Sequence, residues 1–425
     1  MFTRRNLLKG ILIFLIVFGL LVFVHEFGHF IVAKKSGILV QEFSIGMGPK
    51  LFQIRRNPTI YTIRWLPLGG YVRLAGSDDE SKLDPGMTVI LQLNDQDEVV
   101  RIDASESDMS IEGIPVQVTK ADLVDDLIIE GYENGDENKP VTYHVNHDAT
   151  IIEKNGTELI IAPRDTQFNE AKVWQKLATN FAGPFMNILL GFVVFLIWTF
   201  TVPGPATTTI QSTTNGSPAQ IAKIKSGDRI VVINGQKINN FEQVTEKVNQ
   251  SKGKSLKFEL SKDGSTRTVV IKPKAHLVQK QKVYQIGIVA KSNENAGMKL
   301  KRGWDTAVST TGLIFNTVGN LFRHFSLNKL SGPVGIYSQT SQVSQMGFTY
   351  VLAFLAMISI NLGIVNLIPI PGLDGGKLLL NLIELVRGKP ISEEHEAIVE
   401  LIGFGLLLVL IIAVTGNDIY RYFIK

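Results

Sequence analysis

The sequence predicts a polytopic α-helical membrane protein with about four transmembrane helices and β-rich segments between them. Hydrophobic residues make up 45% of the 425 residues and charged residues only 19%, and the mean hydropathy is +0.15, a composition typical of membrane proteins. Four apolar runs, at 11–33, 177–202, 350–371 and 398–414, match the roughly 20 residues that cross the hydrocarbon core of a bilayer. The lipid bilayer is therefore an expected partner.

The charge balance and the absence of cysteine exclude several functions. The chain has 43 basic and 39 acidic residues, a net charge of +4, which is too balanced for a nucleic-acid binder. It has no cysteine, which excludes disulfides, thiol nucleophiles, iron–sulfur clusters and thiolate zinc sites. Any metal ion must be held by His, Asp, Glu or backbone oxygen, and the chain has only seven histidines.

The first apolar run has two interpretations. Arg4, Arg5 and Lys9 precede it, a pattern that also begins cleavable signal peptides. However, no small-residue cleavage site follows, and the run continues through the segment from His25 to His29. We therefore interpret it as a retained transmembrane helix.

Lysine and arginine near the ends of the runs predict the topology, because cytoplasmic loops are enriched in these residues. Basic residues precede the second run and follow the third, at Arg164, Lys172, Lys176, Lys377, Arg387 and Lys389. The second run then leads outward and the third inward. Parity places both termini outside the cell membrane, and the inner end of the first run at the cytoplasmic side.

This topology divides the chain into alternating membrane and aqueous segments. Residues 34–176 form a cytoplasmic, membrane-associated β segment with an insertion at 85–165, and residues 204–290 form an extracytoplasmic α+β domain. The predicted segments are 1–33, 34–176, 177–203, 204–290, 291–349 (amphipathic and interfacial), 350–376, and 377–425 with a cytoplasmic loop and the fourth helix.

Three ionisable residues lie inside the first run. His25 and His29 are four residues apart, so on a helix both project from one face and can share a metal ion, with Glu26 beside them. A metal ion lowers the pKa of bound water to about 7, and a carboxylate can take the proton as the water attacks a carbonyl. The alternative, a pair of hydrogen-bonded core histidines, is disfavoured because ionisable groups inside a bilayer usually mark function.

A third ligand is needed at the same membrane depth. At ~1.5 Å per residue, His25 and His29 lie about 21 and 27 Å from the start of the first run, which is its cytoplasmic side. The third run also leads inward and ends in a Pro- and Gly-rich segment that contains Asp374. Prolines and glycines break the helix and let the carboxylate turn inward. The alternative is an interfacial Asp in a loop turn.

These motifs resemble the site-2 protease family of intramembrane zinc metalloproteases. The resemblance rests on the sequences His25-Glu26-Phe27-Gly28-His29, Asn366 with Leu373-Asp374-Gly375, Gly183-Pro184-Phe185-Met186-Asn187, and Ser331-Gly332-Pro333-Val334-Gly335-Ile336. The last two are similar to the bacterial branch related to regulator-of-sigma-E protease. The match covers both ends and most of the middle of the chain.

The resemblance implies the roles of individual residues. His25, His29 and Asp374 would bind Zn²⁺, Glu26 would be the catalytic base, and Asn366 would engage the substrate backbone. Residues 43–75, with Gly69, Gly70 and Tyr71, resemble the family's membrane-associated β-element and would contact substrate. Residues 216–235 resemble a PDZ domain. Asn187 either supports the active site or forms a hydrogen bond within the helix bundle.

Two features depart from the enterobacterial pattern. One PDZ signature is visible rather than two, and residues 85–165 match poorly. Members with one PDZ domain are typical of Gram-positive bacteria. The function of the insertion does not follow from the resemblance.

The activity implied is cleavage of transmembrane segments in single-pass proteins after another protease has trimmed them outside the cell. Anti-sigma factors and remnant signal peptides are the implied substrates. The PDZ domain would either exclude untrimmed substrates as a filter, which we favour because residues 205–220 contain no clear carboxylate-binding glycine loop, or capture a new C-terminus. Two alternatives are a PDZ scaffold with a vestigial zinc site and a soluble-type zincin tethered to the membrane. The intact Glu26 disfavours the first, and the position of the motif within the run disfavours the second.

Overall fold

The structure is a computed structural model that describes residues 4–56, 58–76, 83–105, 112–154, 156, 158–278 and 281–421. The chain divides into two compact units. The first contains Met1–Gly191 and Thr310–Lys425, and the second contains Phe192–Ser309.

Helices and strands alternate along the chain. The helices of the described residues are α1 (Arg4–Lys35), α2 (Val173–Trp198), α3 (Pro218–Ile221), α4 (Phe241–Gln250), α5 (Ala296–Arg323), α6 (Pro333–Met346), α7 (Phe348–Asn366), α8 (Asp374–Arg387) and α9 (Glu393–Ile419). The strands are β1 (Val40–Arg56), β2 (Thr59–Leu74), β3 (Thr88–Leu93), β4 (Val99–Asp103), β5 (Ile114–Asp122), β6 (Ile128–Glu133), β7 (Pro140–Ile152), β8 (Glu158–Ile160), β9 (Ala206–Thr213), β10 (Arg229–Ile233), β11 (Gln236–Lys237), β12 (Leu256–Lys262), β13 (Ser265–Ile271), β14 (Lys274–Val278), β15 (Gln281–Gln285) and β16 (Ile288–Ser292).

Four helices of the described residues are long and apolar enough to cross a membrane. They are Leu8–Lys35 of α1, Val173–Trp198, Phe348–Asn366 and Glu394–Ile419 of α9. Large apolar side chains on these helices remain exposed, for example Leu401 at 71% and Val409 at 68%, as expected for surfaces that lipid tails cover. The predicted polytopic helical class is confirmed, and the sidedness stays a prediction.

The polypeptide between α7 and α8 makes a tight turn. Helix α7 ends at Asn366, and Pro369 and Pro371 follow, because proline cannot continue a helix interior. Gly372 has φ +89°, in the region that favours glycine. Helix α8 then begins at Asp374.

A buried carboxylate joins α9 to the start of α6. One oxygen of Asp418, Oδ2, accepts hydrogen bonds from the backbone N–H groups of Gly332 (2.8 Å) and Gly335 (2.9 Å). The first N–H groups of a helix lack partners within the helix. The Gly332–Ile336 motif therefore supplies the N-terminus that this carboxylate caps.

Strands β1 and β2 form a small bent sheet, which we call the hairpin sheet. Glycines with positive φ mark its bends, Gly46 (+90°) and Gly48 (+84°) in β1 and Gly69 (+91°) in β2. Because of the bends, some residues pair on both sides: Phe43 pairs with Val72 and with Tyr61. The two bent strands thus form four side-by-side segments, and each row across the sheet contains one residue from each segment.

The insertion folds as a closed sheet with its own core, which we call the insertion barrel. The strand order is β4-β3-β5-β6-β7-β8, and a parallel pairing of β4 with β7 closes the ring. Closure leaves few free strand edges. The interior contains fully buried side chains, among them Val89, Leu91, Val99, Ile102, Val116 and Ile129.

The second unit contains a five-stranded path of order β13-β12-β10-β9-β16, with β11 beside β10 and a separate β14–β15 hairpin. A helix start and a hairpin turn lie within residues 216–235: Ser217 Oγ accepts a hydrogen bond from Gln220 N at 3.2 Å, and Asn234 (φ 47°) and Gly235 (φ 78°) form the turn. A cavity of about 950 Å³ lies between α4 and residues 202–206.

Candidate active site

Three side chains that can bind a metal ion converge in the first unit. His25 Nε2 lies 3.1 Å from Asp374 Oδ2, and His29 Nε2 lies 3.5 Å from Asp374 Oδ1. The two histidine Nε2 atoms are 3.2 Å apart. Within the described part of the chain, this is the one group of His, Asp or Glu side chains with metal-binding geometry, its ligand atoms lying within 4.8 Å of one another.

Helix α2 contacts the far side of both imidazole rings. His29 Nδ1 lies 2.7 Å from the carbonyl oxygen of Thr179, which fixes the proton on Nδ1 and leaves the Nε2 lone pair facing Asp374. The amide nitrogen of Asn187, Nδ2, lies 3.2 Å from His25 Nδ1, and the amide oxygen, Oδ1, is buried without a partner. Rotation of the amide by 180° exchanges the two atoms and places the oxygen, an acceptor, against Nδ1. An amide oxygen facing Nδ1–H would give His25 the same tautomer as His29, so the chemistry of this donor set fits a metal ion.

Two glycines permit the close approach of α1 and α2. A Cβ atom on Gly183 would lie 2.1 Å from His29 Nε2, and one on Gly28 would lie 2.5 Å from the carbonyl oxygen of Ala182. Asn187 is fully buried, and its backbone carbonyl accepts a hydrogen bond of 2.6 Å from Ser359 Oγ on α7. The motif from Gly183 to Asn187 thus packs α2 against the histidines.

Two glycines also permit the tight turn that positions Asp374. A Cβ atom on Gly375 would lie 2.2 Å from the carbonyl oxygen of Ile368, and one on Gly376 would lie 2.5 Å from that of Ile370. The turn before α8 therefore packs against the first residues of α8 itself. Asn366, the predicted substrate-binding residue, is the last residue of α7 and lies half-buried at the start of this turn.

The hairpin sheet contacts α1 beside the predicted base. A Cβ atom on Gly70 would lie 3.1 Å from Glu26 Cγ and 3.0 Å from Val22 Cγ1. Glu26 follows His25 in the helix and is half-buried. The strand that carries Gly69, Gly70 and Tyr71 therefore lies next to Glu26 at Gly70.

A polar cluster stabilises this strand from within the sheet. The Arg64 guanidinium donates hydrogen bonds to Tyr71 Oη (2.6 Å) and Glu42 Oε1 (3.0 Å). Burial alone would raise the pKa of Glu42, but the hydroxyls of Thr62 and Tyr71 and the Arg64 guanidinium hold this pKa below its ordinary value. Glu42 therefore stays ionised.

Sequence reasoning missed several residues of this region. Thr179 acts through a backbone carbonyl, which no side-chain pattern reveals. Arg64 and Glu42 are 22 positions apart and lack a motif. Gly183 belongs to a family motif that assigns it no role, although a small residue one helical turn before a buried Asn is a signal of close helix packing.

Membrane helices that surround a His-His-Asp group with an adjacent Glu define a class, the membrane metalloproteases. The model of peptidase family M50 matches residues 13–410. The chain belongs to peptidase family M50, the site-2 protease family, and is a membrane zinc metalloprotease. The predicted family, enzyme class and Zn²⁺ cofactor are thereby confirmed.

Curated relatives from Gram-positive bacteria are similar over most of the chain. The protein named "Probable protease eep" from Enterococcus faecalis is 46% identical over 364 residues, covering 85% of this chain and 86% of that protein. Relatives from Streptococcus pyogenes serotype M3 (46% over 369 residues) and Lactococcus lactis (42% over 378 residues) have names that class them as zinc metalloproteases, each with 85% of this chain and 86% of the relative covered.

Solved structures match a smaller part of the chain. The PDZ domain of an SdrC-like protein from Listeria monocytogenes is 19% identical, with 21% of this chain and 88% of that chain covered and a TM-score of 0.17. The corresponding domain from Listeria innocua is 20% identical, with 21% and 96% covered and a TM-score of 0.18.

Proposed function

We propose that this protease cleaves peptide bonds inside the membrane, with Zn²⁺ held by His25, His29 and Asp374 and with Glu26 as the general base. The observation that carries the proposal is the convergence of the two Nε2 atoms and the Asp374 carboxylate within 4.8 Å. His25 and His29 come from α1, and Asp374 is the first residue of α8, directly after the turn that follows α7. When bound, zinc lowers the pKa of a water molecule and polarises a carbonyl.

The residues of the chain perform the remaining steps. Glu26 takes the proton of the attacking water and delivers it to the leaving amide nitrogen, as general base and then general acid. The Thr179 carbonyl and the Asn187 amide hold the histidine rings in the orientation and tautomer that ligation requires. Asn187 is thus assigned to active-site support.

Substrate is proposed to bind as an extended strand. The carbonyls of a helical segment are occupied by intrahelical hydrogen bonds, so the segment must unwind before water can attack. The strand with Gly69, Gly70 and Tyr71 lies beside Glu26 and can receive an unwound segment by strand addition. Asn366 would bind one backbone group of the same segment.

The proposed topology follows the charge distribution. Both termini lie outside the cell membrane, and the metal site lies towards its cytoplasmic side. The substrates are single-pass membrane proteins, with anti-sigma factors and signal-peptide remnants as the classes that the family resemblance implies. A scaffold with a vestigial site remains disfavoured because the complete ligand set and Glu26 are both present.

For the extracytoplasmic domain, residues 204–290, we propose a PDZ fold that acts as a filter. One observation favours the alternative, capture of a C-terminus. Gly287, with φ +76°, precedes β16, which is the last strand of the sheet path. A glycine loop before an edge strand suits carboxylate capture, and this loop lies outside residues 205–220.

The two models of this domain predict different effects of filling the cavity beside α4. Thr245 lines that cavity and is exposed. Under the filter model, Thr245→Trp leaves the cleavage of a trimmed substrate unchanged, as does the control Lys237→Trp on the exposed β11. Under the capture model, Thr245→Trp alone slows that cleavage.

The experiment that tests the proposed activity compares the wild-type protein with Glu26→Gln. The amide preserves the shape of the side chain and cannot accept the proton, so cleavage of a single-span substrate should be abolished while zinc remains bound. His25→Ala, His29→Ala and Asp374→Ala should lose both metal and activity. Normal turnover by Glu26→Gln would overturn the proposed mechanism, and a fully zinc-loaded, active Asp374→Ala would move the third ligand elsewhere.

A further inference from the structure

The insertion barrel is attached to the hairpin sheet through three of the four residues in one row. Register partners in that row are Arg55, Ile60, Glu42 and Arg73, in order across the sheet. At one end, Arg55 forms an ion pair of 2.8 Å with Glu158 of β8. At the other end, Arg73 lies 4.0 Å from Glu153 of the barrel. The barrel therefore holds both ends of this row.

The middle of the row is held by apolar packing. Ile60 is 3% exposed and belongs to the core of the insertion barrel, together with side chains from β3 to β8. A hairpin residue inside the barrel core resists sliding and rotation, because interiors are close-packed.

The acceptor of the Arg55 ion pair is itself fixed within the barrel. Glu158 also accepts hydrogen bonds from Arg101 Nε (2.9 Å) on β4 and from Thr150 Oγ1 (2.8 Å) on β7. Three strands of the barrel thus determine where the Glu158 carboxylate lies. An ion pair with a pre-positioned partner gives geometric specificity that a flexible surface pair lacks.

A second attachment lies where the chain enters and leaves the hairpin sheet. Ala75 N donates to Leu39 O (3.0 Å), Leu39 N donates to Thr166 O (2.9 Å), and Phe168 N donates to Ala75 O (2.7 Å). These bonds join the first residues after β2 to the segment that follows the barrel.

The predicted substrate-binding residues Gly69, Gly70 and Tyr71 lie farther along the sheet than the row that contacts the barrel. Gly70 pairs with Ile45, three positions along β1 from Glu42, which is about 10 Å at ~3.3 Å per residue. The opposite end of the sheet exposes large apolar side chains, including Leu51 (52%), Phe52 (57%) and Trp65 (64%). The sheet thus extends from the barrel along α1, where Phe43 packs against Phe23 and Phe30, and it carries Gly70 beside Glu26.

We infer that the insertion barrel is a positioning domain, which clamps the hairpin sheet through Arg55 and Glu158 so that the strand carrying Gly69, Gly70 and Tyr71 is held at the correct distance from Glu26. This inference rests on the proposed function, because it assumes that this strand binds substrate. It assigns a role to the insertion and makes Arg55 a positioning residue rather than a catalytic one.

The test uses Arg55→Ala and a matched control. Arg56→Ala removes the same charge from the next residue of the same strand, but Arg56 is exposed. Both changes are made in the full chain with Glu26→Gln, and the probe is a fluorescein-labelled, leucine-rich single-span peptide with a central Gly-Pro pair, in detergent micelles. We expect Arg55→Ala to weaken binding of the probe by about tenfold, because a strand that the barrel no longer fixes must be ordered when the probe binds, and this ordering costs affinity. Arg56→Ala should bind like its parent, and Arg55→Lys should recover part of the loss.

The zinc content of the variants distinguishes a displaced hairpin sheet from a general disruption of the fold. Arg55→Ala should retain the zinc content of its parent, because no metal ligand lies in the hairpin sheet. Equal binding by Arg55→Ala and Arg56→Ala would overturn the inference, and so would loss of zinc in Arg55→Ala. Should Arg55→Ala not accumulate as folded protein, Arg55→Gln carries the same test. Failure of the proposed function is distinguishable, because it appears as cleavage of the probe by the Glu26→Gln parent itself.

Discussion

Helix α1 has two neighbours beside the turn that carries His25, Glu26 and His29, and they contact it in different ways. Helix α2 packs so closely that Gly183 leaves no space for a Cβ atom at His29, and it supplies hydrogen-bonding groups to both imidazoles. The hairpin sheet touches the other side through Gly70, next to Glu26, and keeps its nearby strand available for pairing.

The difference separates two tasks along one helix. Under the proposed function, the α2 side fixes the metal ligands, and the hairpin side leaves room for a substrate that must enter and leave. Substitutions on the α2 side should therefore remove metal, whereas substitutions on the hairpin side should reduce cleavage and leave the metal in place.

The largest effect is expected at Gly183. Gly183→Val places a branched side chain where His29 lies, because even a Cβ atom would be 2.1 Å from Nε2. Zinc content and cleavage should both fall below detection, as measured by metal analysis and a substrate-cleavage assay. Gly19→Val in α1 is the control, since a Cβ atom there has no neighbour within 4 Å. A zinc-loaded, active Gly183→Val would contradict the assignment of metal binding to the α2 side.

Asn187→Ala should have the next largest effect. Removing a group that orients a metal-ligating histidine typically costs about 10–100-fold in metal affinity or activity. Zinc affinity should fall within that range by competition with a chelator, and Asn187→Asp should retain more of it because a carboxylate oxygen can still accept from His25 Nδ1–H. If Asn187→Ala binds zinc like the wild type, Asn187 only serves helix packing.

The metal-binding residues and the membrane helices also show what a sequence can predict. The spacing of His25 and His29 within one helix predicts their shared face directly, and the break after the third apolar run predicts that Asp374 turns towards them, as it does in the structure. The side of the membrane on which they meet stays a prediction. The four apolar runs correspond to helices, because length and hydropathy determine whether a segment can span. Local patterns were sufficient for these features.

The rest depends on contacts between distant segments. Thr179 contributes a carbonyl 150 residues from His29, and Arg55 meets Glu158 through pairing that no local pattern encodes. The closure of the insertion barrel requires a parallel pairing of β4 with β7, strands that are separated by two others in the chain. Tertiary packing decides such features, and alternation of apolar residues alone does not specify the partner strand.

On the hairpin side, Gly69→Ala should reduce cleavage without loss of zinc. Gly69 has φ +91°, and a side chain in the left-handed region costs about 1–2 kcal/mol, which should displace the strand next to Glu26. We expect kcat/KM to fall by about tenfold. Gly48→Ala, at φ +84° in the other strand, is matched in backbone strain and should have little effect on cleavage. Loss of zinc in Gly69→Ala would contradict the separation of tasks.

The smallest effect concerns pH. The pKa of Glu42 is lowered in the folded protein from 4.5, so its ionised form contributes stability that is complete above that value and lost as pH falls through the folded pKa. Thermal unfolding of the wild type should therefore shift to lower temperature as pH falls below about 4.5. The shift should be smaller in Glu42→Gln, and an equal shift in both proteins would remove Glu42 as its source.

The central claim is that His25, His29 and Asp374 hold the zinc ion. Zinc K-edge X-ray absorption of the purified full chain measures this ligand set directly. The account predicts scattering from two imidazoles at about 2.0–2.1 Å with oxygen completing the shell at about 2.0–2.2 Å, and loss of the zinc signal in Asp374→Ala. A third imidazole in the spectrum, or an unchanged spectrum in Asp374→Ala, would contradict it.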